Sequence, residues 1–209
     1  MLPFQNSAEL PNDIPSLLNP IPFTLVNSQP LDNTDFLAPY VPCSPEIADA
    51  ATDMLNLNSS DILCDLGCGD GRCLKAAFQK QIKAPFKSIG VELDPYLIKY
   101  CINTYKNLVS DGRLLIFEQD FLQFDLNEHG VTCLVLYLLP NALSTLEGKL
   151  ARWIGADSNR RCVCITFPIP GWTAIKTENV LCESKSFGAG AGGIGQVIHL
   201  YDQSSVIKP

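Results

Sequence analysis

Residues 61–72 read DILCDLGCGDGR, a short apolar run from Asp61 to Leu66 that breaks into Gly67, Gly69 and Gly71. An apolar run of this length bounded by glycine predicts a buried strand. The residues after it, 72–82, carry Leu74, Ala77 and Phe78 on one face and predict a helix. The alternation continues downstream. Phe86–Leu93, Leu114–Phe117, Val131–Leu138 and Cys162–Phe167 read as further strands, and Pro95–Leu108 and 141–154 as amphipathic helices between them. Upstream, Ser44-Pro45-Glu46 reads as an N-cap with proline at the first helical position, opening a helix to about Leu57. Strands alternating with helices imply an α/β fold with a doubly wound, mostly parallel sheet. The end departs from this pattern. After Pro168 and Pro170, two strand-like stretches at about 175–187 and 195–203 have no helix between them. They predict a C-terminal antiparallel hairpin at the sheet edge, making seven strands.

The chain has 209 residues, enough for one full-sized domain with an appended segment. Pro3, Pro11, Pro15, Pro20, Pro22 and Pro30 break up the first 39 residues, which predict an irregular N-terminal arm ahead of a domain at 40–205. The net charge of −7 is uneven: residues 1–71 hold ten acids and no Lys or Arg before Arg72, whereas the remainder has 15 basic and 12 acidic side chains. The first 40 residues show neither a secretory signal nor a mitochondrial presequence. No apolar run reaches the roughly 18 residues of a membrane span. An acidic chain without a Lys/Arg cluster is poorly suited to bare nucleic acid and suits a basic partner. The cysteines, nine in number, lie mostly in apolar runs, as buried free thiols do. With His129 and His199 far apart and no CxxC, no metal site is expected. Together these features point to the cytoplasm, with the nucleus also open.

The glycine loop at a strand-to-helix turn lets backbone approach a nucleoside-sized ligand. A nicotinamide fingerprint counted from Gly67 requires glycine where Arg72 stands, so a dehydrogenase is disfavoured. Asp65, two residues before Gly67, can face a ligand ammonium, and S-adenosylmethionine presents one. Glu92 closes the second strand, where an acid accepts from ribose hydroxyls. Asp120 follows the third strand and can accept from the adenine amino group while Phe121 packs on the ring. Asp65, Gly67, Gly69, Gly71, Glu92, Asp120 and Phe121 are therefore the expected cofactor-binding residues. Gly190, Gly192 and Gly195 match G-x-G-x-x-G literally, but a strand-like stretch follows instead of a helix, which predicts a turn.

With these residues in place, the chain resembles the seven-stranded, Rossmann-like class I methyltransferases. Within them it is similar to the lysine methyltransferases of the ATP synthase c-subunit and adenine nucleotide translocase family. The resemblance covers roughly residues 39–180 and rests on Pro39-Tyr40-Val41-Pro42, on DLGCGDGR, on GVELDPYLIKY from Gly90 and on the Phe167–Trp172 stretch FPIPGW. The Tyr-Val-Pro lead-in is also similar to that of non-SET histone lysine methyltransferases. Two features depart from the family. Its mitochondrial members carry an N-terminal membrane or targeting segment of a kind that the first 40 residues do not show, and their loop after strand four differs from the stretch Tyr137 to Pro140.

The resemblance implies methyl transfer from S-adenosylmethionine to a lysine of a basic protein substrate. A lysine nucleophile must lose its proton, and an aromatic-lined channel assists by desolvating the amine. Tyr40, Tyr137 and Trp172 are the candidate catalytic residues, with Phe167 beside them; Tyr137 and Trp172 also read as ordinary core or capping aromatics. Asp94 reads as the N-cap of the second strand–helix unit, Asp70 as a cap after the glycine loop and His129 as a surface-loop histidine. Glu46, Asp49 and Asp53 share one helix face, which is expected to border the acceptor channel with Glu9, Asp13, Asp32 and Asp35 of the arm. Two other readings share the fold: a small-molecule methyltransferase and a catalytically silent binding subunit.

Overall fold

The computed structural model describes residues 40–79, 87–182 and 195–206, all within one compact unit. The arm expected at 1–39 and the glycine turn at 190–194 lie outside the described residues. The elements are α1 (Pro45–Met54), β1 (Ile62–Leu66), α2 (Arg72–Gln79), β2 (Lys87–Glu92), α3 (Pro95–Thr104), α4 (Lys106–Ser110) and β3 (Leu114–Glu118). They are followed by β4 (Cys133–Leu136), α5 (Pro140–Gly155), β5 (Arg161–Ile165), β6 (Lys176–Leu181) and β7 (Gly195–Asp202).

The seven strands form one sheet in the order β3-β2-β1-β4-β5-β7-β6. The first five are parallel, and β7 runs antiparallel to both β5 and β6. The later strand of the hairpin is thus the inner one. Burial explains the order: β7 contributes the buried Ile198 and Tyr201, whereas five of the six residues of β6 are exposed and tolerate the edge.

Side chains alternate across the sheet and divide the core in two. Leu63, Val135, Val163 and Ile165 pack with α1 and α2 on one face. Cys64, Leu66, Leu134, Leu136 and Cys164 pack with α5 on the other. On α5, Leu143, Leu146, Leu150, Trp153 and Ile154 recur at helical spacing and are buried. Each buried leucine contributes roughly 1.5–3 kcal/mol.

Ser44 caps α1 by accepting from the Ile47 amide at 3.3 Å, and Asp94 caps α3 by accepting from the Tyr96 amide at 2.8 Å. Two helices differ from their expected lengths. α1 stops at Met54, because Asn56 turns left-handed (φ 47°). The single helix expected over Pro95–Leu108 breaks at Tyr105, whose hydroxyl donates to the Asp70 carbonyl at 3.2 Å. That cross-link places its ring where a side chain on Gly71 would stand, 2.8 Å from the position of the missing Cβ. His129, expected as a lone surface-loop residue, instead stacks on Phe124 with ring centroids 4.6 Å apart.

Asp61 sits at the entrance to β1 and ties three segments together. Its carboxylate is held by the Arg161 guanidinium at 2.7 Å, the Thr132 hydroxyl at 2.8 Å and the Asn58 amide at 2.8 Å. Burial acts to raise its pKa, but these donors outweigh it and the net shift is downward. The stabilisation is therefore present above the ordinary carboxylate range and is lost as pH falls through the lowered folded value. Arg161→Ala is expected to cost about 3 kcal/mol, as stranding one member of a buried pair does. Urea titration at neutral pH measures that loss. Asp61→Asn should in addition flatten the acid limb of the stability profile below pH about 4.

Candidate functional site

The glycine loop turns at the carboxyl end of β1, where all three glycines adopt positive φ: 79° at Gly67, 55° at Gly69 and 76° at Gly71. At Gly69 the requirement is also steric. A Cβ there would stand 2.6 Å from Cε2 of Tyr40, so the lead-in before α1 lies directly on the loop. Backbone bonds hold the turn in shape: the Gly67 and Cys68 amides donate to the Val91 carbonyl at 2.8 and 3.1 Å. The Cys101 thiol reaches the Gly69 carbonyl at 3.1 Å.

Glu92 joins this loop to the next. One carboxylate oxygen accepts from the Gly69 amide at 2.9 Å, and the other from the Leu93 and Asp94 amides at 2.8 and 3.0 Å. The oxygen that accepts only from Gly69 keeps a lone pair for a ribose hydroxyl. Asp65 lies beneath, 3% exposed. Burial, then the charges of Glu92 and Asp70, push its pKa up to about 8. Such crowding of carboxyl groups in a desolvated turn calls for a cation. The ammonium and sulfonium of adenosylmethionine meet that requirement, so the residues present fit the cofactor.

Asp70 accepts from the Arg72 amide at 3.2 Å, as a cap does, and pairs with the Arg72 guanidinium at 2.6 Å. The same guanidinium donates to the Cys43 carbonyl, fastening the lead-in to the loop. In the sequence Arg72 ends the acidic stretch and breaks a nicotinamide fingerprint, and neither reading gives it this fastening role. Its place as the first cation after ten acids was the available signal. The Tyr40 hydroxyl is buried, with no well-formed hydrogen bond among the described residues. Burial first, and then Asp70, hold its pKa well above the ordinary phenol range, so it stays protonated.

After β3, Asp120 and Phe121 occupy a tight turn in which Asp120 accepts from the Leu122 amide at 2.8 Å. The Gln119 amide donates to the Glu92 carbonyl at 3.0 Å, so the expected ribose and adenine positions are adjacent. The three candidate aromatic residues separate. Tyr40 lies over the loop, and Tyr137 packs against the α1 face, its hydroxyl accepting from Gln196 at 3.0 Å. Trp172 packs against the α5 face, and its indole donates to Glu147 at 2.9 Å. Trp172, Glu147, Ser144, Pro170, Gly171 and Val206 line an open cleft of about 420 Å³. Thr166, at the end of β5, takes a left-handed backbone (φ 71°) that turns the chain into this segment. Neither Gln196 nor Lys149, which donates to the carbonyls of Phe121 and Leu122 at 2.8 and 3.2 Å, carried any sequence motif.

The family model of the ANTKMT methyltransferase domain matches residues 65–176, from the acid before the glycine loop to the start of β6. The protein-lysine N-methyltransferase of Saccharolobus islandicus (strain REY15A) is 33% identical over 146 residues, which is 68% of this chain and 86% of that protein. The Homo sapiens lysine N-methyltransferase of the ATP synthase c-subunit is 27% identical over 135 residues, 65% of this chain and 54% of that protein. The chain thus spans about half of the human relative. Among solved structures, an RNA methyltransferase from Salinibacter ruber in complex with S-adenosyl-L-homocysteine superposes with a TM-score of 0.61 at 22% identity. The superposition covers 81% of this chain and 96% of that one. At that identity the likeness concerns the fold alone.

Asp65 sets a pH dependence whose sign follows from its raised pKa. A bound cation favours the carboxylate, so binding below pH about 8 releases a proton. Calorimetric affinity for S-adenosylhomocysteine should climb by up to about tenfold per unit from pH 6 towards 8 and then level off. Asp65→Asn should weaken binding at pH 8 and abolish the slope. In the free protein the same shift runs the other way, stability falling as pH rises from about 4 to 8. Gly69→Ala should displace the Tyr40 ring and weaken binding by at least about tenfold, on the scale of the 1–3 kcal/mol that overpacking costs.

Proposed function

The chain belongs to the ANTKMT methyltransferase domain family, and on that premise we propose that it moves a methyl group from S-adenosylmethionine to the ε-amine of a protein lysine. The observation that carries this reading is the 33% identity to the Saccharolobus islandicus protein-lysine N-methyltransferase, 86% of which is covered. The human relative, named for lysine methylation of the ATP synthase c-subunit, supports the same acceptor chemistry.

When bound, the cofactor supplies an electrophilic methyl group on a cationic sulfur. The chain's own residues hold the two reactants in line, and positioning of that kind supplies much of the acceleration. Asp65 and the Gly67–Gly71 loop bind the amino-acid end, Glu92 the ribose, and Asp120 with Phe121 the base. Tyr40 covers the loop with a protonated hydroxyl beside the acceptor path. Tyr137 contributes a second ring at the end of β4, whereas Trp172 lies apart from both, on the opposite face of the sheet and held by Glu147. A lysine amine has an ordinary pKa near 10.4 and must be neutral to attack; desolvation against aromatic faces favours the neutral form.

The substrate is a basic protein, drawn by the acidic face of α1 that carries Glu46, Asp49 and Asp53. The site of action is the cytoplasm. Two experiments test the acceptor and the role of the acidic face. Incubation of cell extract with methyl-labelled cofactor should place label on protein lysines, identified by mass spectrometry; label confined to low-molecular-weight products overturns the reading. Charge reversal at Glu46, Asp49 and Asp53 should raise the KM for the protein substrate several-fold with no change in cofactor affinity. An unchanged KM returns this face to a purely solvating role.

A further inference from the structure

Lys149 lies in the middle of α5, yet its ammonium reaches the turn that follows β3. Its Nζ donates to the carbonyls of Phe121 at 2.8 Å, Leu122 at 3.2 Å and Phe124. An ammonium has three protons, so its donors are fully engaged by backbone oxygens of a single turn. That turn closes through Asp120. The carboxylate accepts from the Leu122 amide at 2.8 Å, and the Asp120 carbonyl accepts from the Gln123 and Phe124 amides at 2.9 and 3.2 Å. Asp120 and the three clamped carbonyls therefore move as one unit.

The side chains of the turn anchor it to the α5-side core, with Phe124 fully buried and Phe121 and Leu122 packed against that core, but its backbone has few tethers. It leaves the end of β3, the edge strand of the sheet, and among the described residues no strand lies beyond it to pair with its backbone. One tether of its backbone is the Gln119 amide, which donates to the Glu92 carbonyl at 3.0 Å. Lys149 supplies another from the opposite side, through a helix whose own position is set by the buried Leu146, Leu150 and Trp153. Burial lowers the Lys149 pKa, and the nearby acids, Asp125 first and Asp120 after it, act to sustain the charge.

We propose that Lys149 is a positioning residue for base recognition. By clamping the 121–124 turn it holds the Asp120 carboxylate and the Phe121 ring at the spacing that accepts the 6-amino group of adenine and rejects a base lacking it. The proposal rests on the reading of Asp120 as the adenine acceptor.

Calorimetry with S-adenosylhomocysteine and with S-inosylhomocysteine, whose base carries a 6-oxo group, tests it. The wild-type chain should prefer the adenine ligand by about tenfold or more, the scale on which one hydrogen bond to a charged group discriminates. Lys149→Met should reduce that preference severalfold, mainly by weakening the adenine ligand, and Lys149→Arg should restore it in part. Lys149→Gln serves the same purpose should the methionine variant not fold. Arg160→Ala, which removes bonds to Asn127 and the Trp153 carbonyl, is the control for general loosening of the fold and should leave the preference intact. An unchanged preference in both Lys149→Met and Lys149→Gln overturns the proposal, as does an equal loss for both ligands. Equal wild-type binding of the two ligands overturns the reading of Asp120 and the proposal with it. Failure of the wild-type chain to bind either ligand overturns the cofactor assignment itself.

Discussion

The carboxylate of Glu92 is the joint between the two turns that form the site. β1 and β2 are parallel and in register, with Leu66 opposite Val91, so their carboxyl ends lie side by side. One side chain at the end of β2 can then accept from Gly69 in the first turn and from Leu93 and Asp94 in the second. The loop is held before any ligand arrives, which lowers the ordering cost of binding. The same arrangement concentrates negative charge. Asp65 is buried beneath Glu92 and Asp70, and its pKa is raised by that burial first and by the two neighbouring charges after it.

Two arginines answer the acidic first third of the chain, each in a different way. Arg161 reaches across from β5 to Asp61, and its pair fixes the amino end of β1 against its neighbours. Arg72 works at the opposite end of the same strand, where it pairs with Asp70 and holds the Cys43 carbonyl. Through Arg72 the segment carrying Tyr40 is brought onto the glycine loop. The acids of residues 61–70 are thus tertiary fasteners as much as ligand contacts. A charge tally along the chain treats them alike, because it cannot register which acids are buried beside a cation.

The aromatic residues show how sheet geometry divides what sequence order groups. Tyr137 and Trp172 both follow strands at the carboxyl edge, so their positions along the chain suggest one shared channel. They pack instead in different core clusters: Tyr137 directly follows β4, whereas Trp172 lies in the irregular segment that the left-handed Thr166 turns away from β5. Tyr137 is tethered to Gln196 on β7 and Trp172 to Glu147 on α5. Gln196 is available to Tyr137 only because β7 inserts between β5 and β6.

The sequence by itself determined the alternation of strands and helices, the antiparallel end and the placing of Asp65, Glu92 and the three glycines at strand ends. These are local properties: hydrophobic period, capping residues and the backbone freedom of glycine act over a few residues and are legible within that window. It also marked Ser44 and Asp94 as caps, for the same reason. The break at Tyr105, the stacking of His129 and the clamp formed by Lys149 had no local signature. Tyr105 depends on Asp70, 35 positions away, and Lys149 on a turn whose last carbonyl, at Phe124, is 25 positions away. His129 depends on the rings of Phe117 and Phe124, which the intervening loop folds back against it. Only the tertiary structure decided these three, because a hydrogen bond or a ring contact is set by distance in space, and the path of the folded chain alone brings those partners within reach.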